Sequence, residues 1–216
     1  MIRINLKQGS PEWRRWRFES GIGGSDAPIV MGVSPFSTRP RLLREKLRYV
    51  QREETFAMRR GTRLEPQARY RYERLVGCKA TPTCIQHDDR EWLIASLDGL
   101  CAPGPNCRYG RNAPAWVVEI KCPKWQDHLL ALEGRVPEYY LPHVQHILLA
   151  SGCDRCDYVS FNDGQRFDPE DQLAIVPVIF DPEYACQLLD AEEAFWWRVR
   201  SHRYRKSIRK AKPCRA

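Results

Sequence analysis

The chain has 216 residues, enough for one substantial core, and carries a formal net charge of +8. Hydrophobic residues at 43% and aromatics at 11% argue against a disordered chain, and no apolar run approaches the roughly 18 to 20 residues of a membrane span. The opening stretch MIRINLKQGSPEW lacks the apolar segment and small-residue cleavage site of a signal peptide, so the expected location is cytoplasmic.

Ser10 followed by Pro11 predicts an N-cap and first helical position, with Gly21 as the stop, for a helix through EWRRWRFES. GIGGSDAPIVMG comes next. Its glycines permit tight turns, and Ser25 or Asp26 would cap a short helix through Met31. A Gly-rich turn feeding a helix start is either a plain joint or an anion site, and nearby Arg17 supports the second reading. Thr38 to Val50 predicts another helix with Leu43, Leu47 and Val50 on one stripe. From near Arg60 to Gly77, Leu64, Ala68, Tyr72 and Leu75 recur at helical spacing, with Pro66 expected in the first turn. Glu65 would then lie near the helix start, where the helix dipole favours a solvated acid.

The pattern changes to strands at CKATPTCIQH, EWLIASLDGL and AWVVEIKCP, the first two forming a hairpin through Asp88-Asp89. Two helices follow in KWQDHLLALEG and PEYYLPHVQHILLASG, then strands in CDYVSFN and LAIVPVIF. A long helix from Pro182 carries Leu188, Ala191, Phe195 and Val199 on one side. The expected fold class is α/β, an α+β mixed sheet flanked by helices, in one domain over 1–216 with a basic tail from about 198.

That tail, RVRSHRYRKSIRKAKPCRA, holds nine Lys and Arg and no acid; without it the chain has 26 basic and 27 acidic residues. The basic character is therefore a C-terminal patch, either merely solvated or suited to a polyanion. Nine cysteines lie scattered along the chain, an odd number that argues against a disulfide framework. Their spacing is also a poor match to a zinc or iron–sulfur site.

The segment WVVEIKCP places Glu119 and Lys121 two positions apart, hence on one face of a strand. Alone, the pair reads as a surface ion pair. Asp98, however, ends a neighbouring strand in IASLDGL, and the antiparallel return brings it beside Glu119. Two carboxylates converging there repel one another unless a cation lies between them, and all-oxygen ligation suits Mg²⁺ or Mn²⁺. Lys121 beside such an ion could orient or deprotonate water, or stabilise charge on a phosphate.

Asp98, twenty intervening residues and Glu119-x-Lys121 together resemble the PD-(D/E)xK nuclease signature, with Leu97 where the motif name has proline. The segments GSPEWRRWRFESGIGGSDAPIVMG, GTRLEPQARYRYE, ASLDGL, VEIKCP and YYLPHVQHILLASGCDRCDYVSF resemble, in order and spacing, the lambda-exonuclease-like, YqaJ-type phage recombination nucleases. The resemblance implies a restriction-endonuclease-like core and a metal-dependent 5′-to-3′ exonuclease that leaves a 3′ single-stranded overhang on linear double-stranded DNA. It implies two Mg²⁺ (or Mn²⁺) ions held by Asp98, Glu119, the Ile120 carbonyl and Glu65, with Lys121 as base or charge stabiliser. Gln145 would support the attacking water or the lysine, and Arg17, Ser25 and Ser96 would grip the 5′-terminal phosphate. His143 and His146 are expected to pack or to face DNA. A homotrimer, a single-strand annealing protein as partner and a phage or prophage origin in a bacterial host also follow from the resemblance. The rival readings are another PD-(D/E)xK DNA endonuclease or helicase-associated nuclease, and a non-catalytic DNA-binding protein.

Overall fold

The computed structural model describes residues 1–48 and 54–211, with side chains as far as Ile208. The predicted mixed sheet is present, with six strands in the spatial order β1 to β6. These are β1 (Ile2–Ile4), β2 (Ala80–Gln86), β3 (Ile94–Cys101), β4 (Trp116–Lys121), β5 (Arg155–Phe161) and β6 (Leu173–Ile179). Among the six strands β4 and β5 alone are paired in parallel, and the chain between them supplies the crossover helices α5 (Trp125–Leu132) and α6 (Leu141–Ser151). A 3-10 turn at Glu138–Tyr140 leads into α6, where the sequence predicted a helix from Pro137. The first strand escapes sequence reading because three residues are too short to show alternation.

Both faces of the sheet are covered. Along β4, Trp116, Val118 and Ile120 pack with Leu64, Ala68, Tyr72 and Val76 of helix α4 (Phe56–Val76). On the opposite face, Val117 packs with Val144, Ile147 and Leu148 of α6. Residues of opposite parity thus serve two cores, as the period of two requires. Glu119 therefore lies on the α6 face, inside the molecule rather than on a half-exposed surface.

Helix α4 corrects three expectations. It begins at Phe56, where Thr55 Oγ1 accepts the Met58 N–H at 3.2 Å, so the helix starts one turn before Arg60. Pro66 and Glu65 accordingly sit in mid-helix, and the Thr62 carbonyl forgoes the bond that a proline nitrogen cannot give. The buried row also steps by fours to Val76, leaving Leu75 58% exposed.

The third packing group joins α2 (Ala27–Met31), α3 (Arg39–Arg48) and the final helix α7 (Pro182–Ala211) around Ile29, Val30, Leu42, Phe195, Trp196 and Val199. Within α3, Leu42 and Lys46 are the buried residues, Leu43 and Leu47 are only partly covered, and Val50 lies outside the described residues. The basic segment is not wholly a tail, because α7 continues to Ala211 and Val199 and Arg203 are packed on the body.

Candidate active site

Two devices at the end of the β3–β4 ladder bring the acidic residues together. The first is a register shift between β2 and β3. Thr83 faces Leu97 and Thr81 faces Leu100, so Asp98 and Gly99 together oppose one residue of β2. Such a bulge re-aims the side chain it carries. Gly99 is required here, since a Cβ would stand 2.7 Å from the Ala80 Cβ. The second device is an early divergence of strands. The β3–β4 pairs stop at Gly99–Val118, while β4 stays paired to β5 as far as Lys121–Ser160. Asp98 bridges the opening, its Oδ2 accepting the Ile120 N–H at 2.8 Å.

Glu119 lies just beyond the divergence and is 2% exposed. Its Oε1 accepts from Lys121 Nζ and lies 3.2 Å from His143 Nε2, whereas its Oε2 is buried with no hydrogen-bond partner among the described residues. Burial works against the charged carboxylate, but His143 and Lys121 more than offset it and hold its pKa below the usual carboxylate range. Burial likewise opposes the Lys121 ammonium, yet Glu119 and Asp98 raise its pKa above the ordinary lysine value. Asp98 is pushed the other way: burial, then the Glu119 charge, lifts its pKa well above the usual carboxylate range, and Glu65 adds to the lift.

Glu65 reaches this cluster indirectly. Its carboxylate accepts from Arg69 Nη2, and the same guanidinium donates through Nε to the Asp98 carbonyl at 3.1 Å. Among the described residues no three His, Cys, Asp or Glu side chains already converge as a ready-made metal site. Each acid is instead closed onto a donor of the protein: Asp98 on an N–H, Glu119 on Lys121 and His143, Glu65 on Arg69. The donor chemistry nevertheless suits a hard divalent cation. An all-oxygen set, an unpartnered buried Oε2 and mutual repulsion among carboxylates are what such an ion would satisfy.

Gln145 is not brought to this cluster. Its side chain donates to the Ile179 carbonyl at 2.9 Å and accepts the Asp181 N–H at 3.0 Å, tying α6 to the junction of β6 and α7. Two positions along a helix is about half a turn around it, and that rotation gives the site His143 instead. His146 is a packing residue, with Nδ1 2.7 Å from Glu192 and Nε2 2.9 Å from the Ile94 carbonyl.

The expected phosphate residues do assemble. Helix α1 (Pro11–Glu19) begins at its predicted Ser10 cap and ends with Ser20 as its C-cap. Gly21 follows, where a Cβ would stand 1.8 Å from the Trp92 carbonyl oxygen, so the glycine serves close approach rather than the helix stop. Arg17 donates to Ser25 Oγ at 2.5 Å and lies 4.8 Å over the Trp13 ring. Trp13 Nε1 donates in turn to Ser96 Oγ at 2.7 Å. Neither Ser25 nor Asp26 caps α2 through its side chain; Asp26 accepts the Gly23 N–H at 3.1 Å and pairs with Lys46 at 2.8 Å. Ser96 and Asp98 share one strand, and a Cβ on Gly24 would lie 2.5 Å from His143 Cδ2. The glycine-rich turn and the acidic cluster are thus joined through His143.

Residues 12–154 match the YqaJ-like viral recombinase domain, well over half of the chain. The chain belongs to that family. Among solved structures it is similar to the alkaline exonuclease LHK-Exo from Laribacter hongkongensis, at 25% identity and a TM-score of 0.76, over 94% of this chain and 98% of that one. The complex of LHK-Exo with dAMP matches equally, at 25% identity and a TM-score of 0.76, over 94% of this chain and 100% of that one. A phage-related exonuclease from Haemophilus somnus 129PT shares the fold at 14% identity and a TM-score of 0.59, over 84% of this chain and 94% of that one. A comparison with curated proteins finds no match.

Two site residues of this YqaJ-like chain escape sequence reasoning. Trp13 looks like an ordinary helix-face aromatic, and only the fold shows it between Arg17 and Ser96. His143 carries a weak sequence signal, since it lies on the same helix as Gln145, but nothing local says which of the two turns toward Glu119.

Proposed function

We propose that this YqaJ-like nuclease is a divalent-cation-dependent exonuclease that removes nucleotides from the 5′ ends of linear double-stranded DNA and leaves a 3′ single-stranded tail. The observation that carries the reading is the buried, unpartnered Oε2 of Glu119 beside Asp98 and Lys121. The full-length likeness to LHK-Exo supports it.

Asp98 and Glu119 would hold the cations, with the Ile120 carbonyl, and with Glu65 once it leaves Arg69. Mg²⁺ or Mn²⁺, as a pair of ions, would supply Lewis acidity toward the phosphate and the attacking water. The remaining work falls to the chain itself. Lys121 presents an ammonium where charge builds on the phosphodiester. His143 holds Glu119 in place from α6. Arg17, Ser25 and Ser96 grip the terminal 5′ phosphate, with Trp13 fixing both the arginine and the serine. The Arg17 guanidinium offers forked donors that match phosphate oxygens. A homotrimer around the duplex, and delivery of the tail to a single-strand annealing protein in the cytoplasm of a bacterial host, complete the proposal.

The test is cleavage of linear duplex labelled at one 5′ or one 3′ end, with and without Mg²⁺, beside closed circular DNA. Expected are early release of the 5′ label, late release of the 3′ label, dependence on added cation and no attack on circles. Cleavage in excess chelator, early release of the 3′ label, or nicking of circles would sink the reading.

A further inference from the structure

The C-terminal end of α1 is gripped by two cations from distant parts of the chain. Arg203, on α7, donates to the Glu19 carbonyl at 3.0 Å, the Phe18 carbonyl at 3.0 Å and the Lys46 carbonyl at 2.8 Å. Its guanidinium lies 5.4 Å from the Phe18 ring centre and 5.3 Å from that of Trp196. Lys46, on α3, donates to the Arg17 carbonyl at 3.0 Å and the Gly21 carbonyl at 2.7 Å, and pairs with Asp26 at 2.8 Å. Asp26 in turn accepts the Gly23 N–H. Three successive carbonyls of α1, from residues 17 to 19, thus end on Lys46 or Arg203.

Those are the carbonyls a helix leaves without internal partners, at the negative end of its dipole, so cations are favoured there. A cap for stability alone would not require burial. Burial lowers the pKa of Lys46 despite Asp26, and it lowers the pKa of Arg203 as well. A buried ion pair is a weak source of stability, and here the Lys46–Asp26 pair ties the end of α1 to the glycine-rich turn. What this geometry fixes is the root of the Arg17 side chain and the turn that carries Ser25.

We propose that Arg203 and Lys46 are positioning residues for the 5′-phosphate pocket, holding the end of α1 and the glycine-rich turn so that the Arg17 guanidinium stays against Ser25. The inference rests on the phosphate-pocket reading given above. It makes α7 part of the end-recognition apparatus, although Arg203 does not itself touch DNA.

The experiment compares initial cleavage rates on 5′-phosphorylated and 5′-hydroxyl duplex for wild type, Arg17→Ala, Arg203→Ala and Arg203→Lys, with the melting temperature of each. Arg17→Ala should raise KM for the phosphorylated end by about tenfold or more, a loss well beyond that on the hydroxyl end. Arg203→Ala should follow it in the same direction, with kcat and the hydroxyl end changed less than about twofold. Arg203→Lys, which keeps the charge but not the fork, should fall between. Equal losses on both ends in the two Arg203 variants, or no loss, would overturn the inference while the pocket stands on Arg17→Ala. If Arg17→Ala itself fails to discriminate between the ends, the pocket falls and this inference with it.

Discussion

Replacing Glu119 with Gln separates the binding of a cation from the integrity of the fold. The amide keeps the shape and still offers an oxygen to His143, but it removes the charge that faces Lys121. Because Glu119 is 2% exposed while the Lys121 side chain is 22% exposed, the lysine can recover water. The cost to the metal-free fold should therefore stay at about 1–2 kcal/mol, below the figure for a fully buried pair. The effect on cation binding should be much larger, since the unpartnered Oε2 becomes an amide nitrogen with no lone pair for a metal. At a free Mg²⁺ concentration of about 100 times Kd the wild type gains roughly 2.7 kcal/mol. At about 2–4 °C per kcal/mol for a chain of this size, that is a rise of roughly 5–10 °C in Tm. Thermal melts with Mg²⁺ and with chelator, run for both proteins, measure the difference directly. The variant should show almost no rise and lose cleavage by about 10³-fold or more. An equal rise in both proteins, or cleavage within about tenfold of wild type, would refute the assignment of Glu119.

Gly24→Ala should disturb both halves of the site, because its Cβ would stand 2.5 Å from His143 Cδ2 and 3.1 Å from Ile147 Cγ2. An overpacking cost of about 1–3 kcal/mol by denaturant melts is expected, together with a fall in cleavage that Gly61→Ala, with nothing within 4 Å, should not show. Tyr72→Phe tests the opposite face of the sheet. Its hydroxyl donates to Asp157 at 2.6 Å and accepts from Trp116 Nε1 at 2.8 Å, so the loss should cost about 1–3 kcal/mol and leave cleavage by the folded protein within about twofold. The buried His146 has its pKa raised: burial opposes the charge, but Glu192 and the Ile94 carbonyl outweigh it. Its contribution to stability is therefore complete below the unfolded value of about 6.5 and fades as pH climbs through the higher folded value. The Tm gap between wild type and His146→Gln should be wider at pH 6 than at pH 9; a constant or widening gap with rising pH would contradict this.

Local chemistry in the sequence was enough to place most helices, five of the six strands and the mixed sheet. Strand alternation in WVVEIK and the spacing back to Asp98 also sufficed to name Glu119, Lys121 and Asp98 as neighbours, because parity along a strand and an antiparallel return are short-range constraints. The Ser10 cap and the glycine-rich turn were legible for the same reason. Where the sequence misled, the deciding term was long-range. Pro66 argued for a helix start, but the buried row from Leu64 to Val76 carried α4 through it. Gln145 and His143 are equally plausible on paper, and only the packing of α6 on the sheet decides which of them meets Glu119. The basic C-terminal segment read as a solvated patch or a polyanion site, since charge density says nothing about a single arginine. Tertiary structure placed Arg203 on carbonyls 157 or more residues away in the chain. Propensity and periodicity act within a few residues, whereas the orientation of a functional side chain depends on which distant element comes to rest against it.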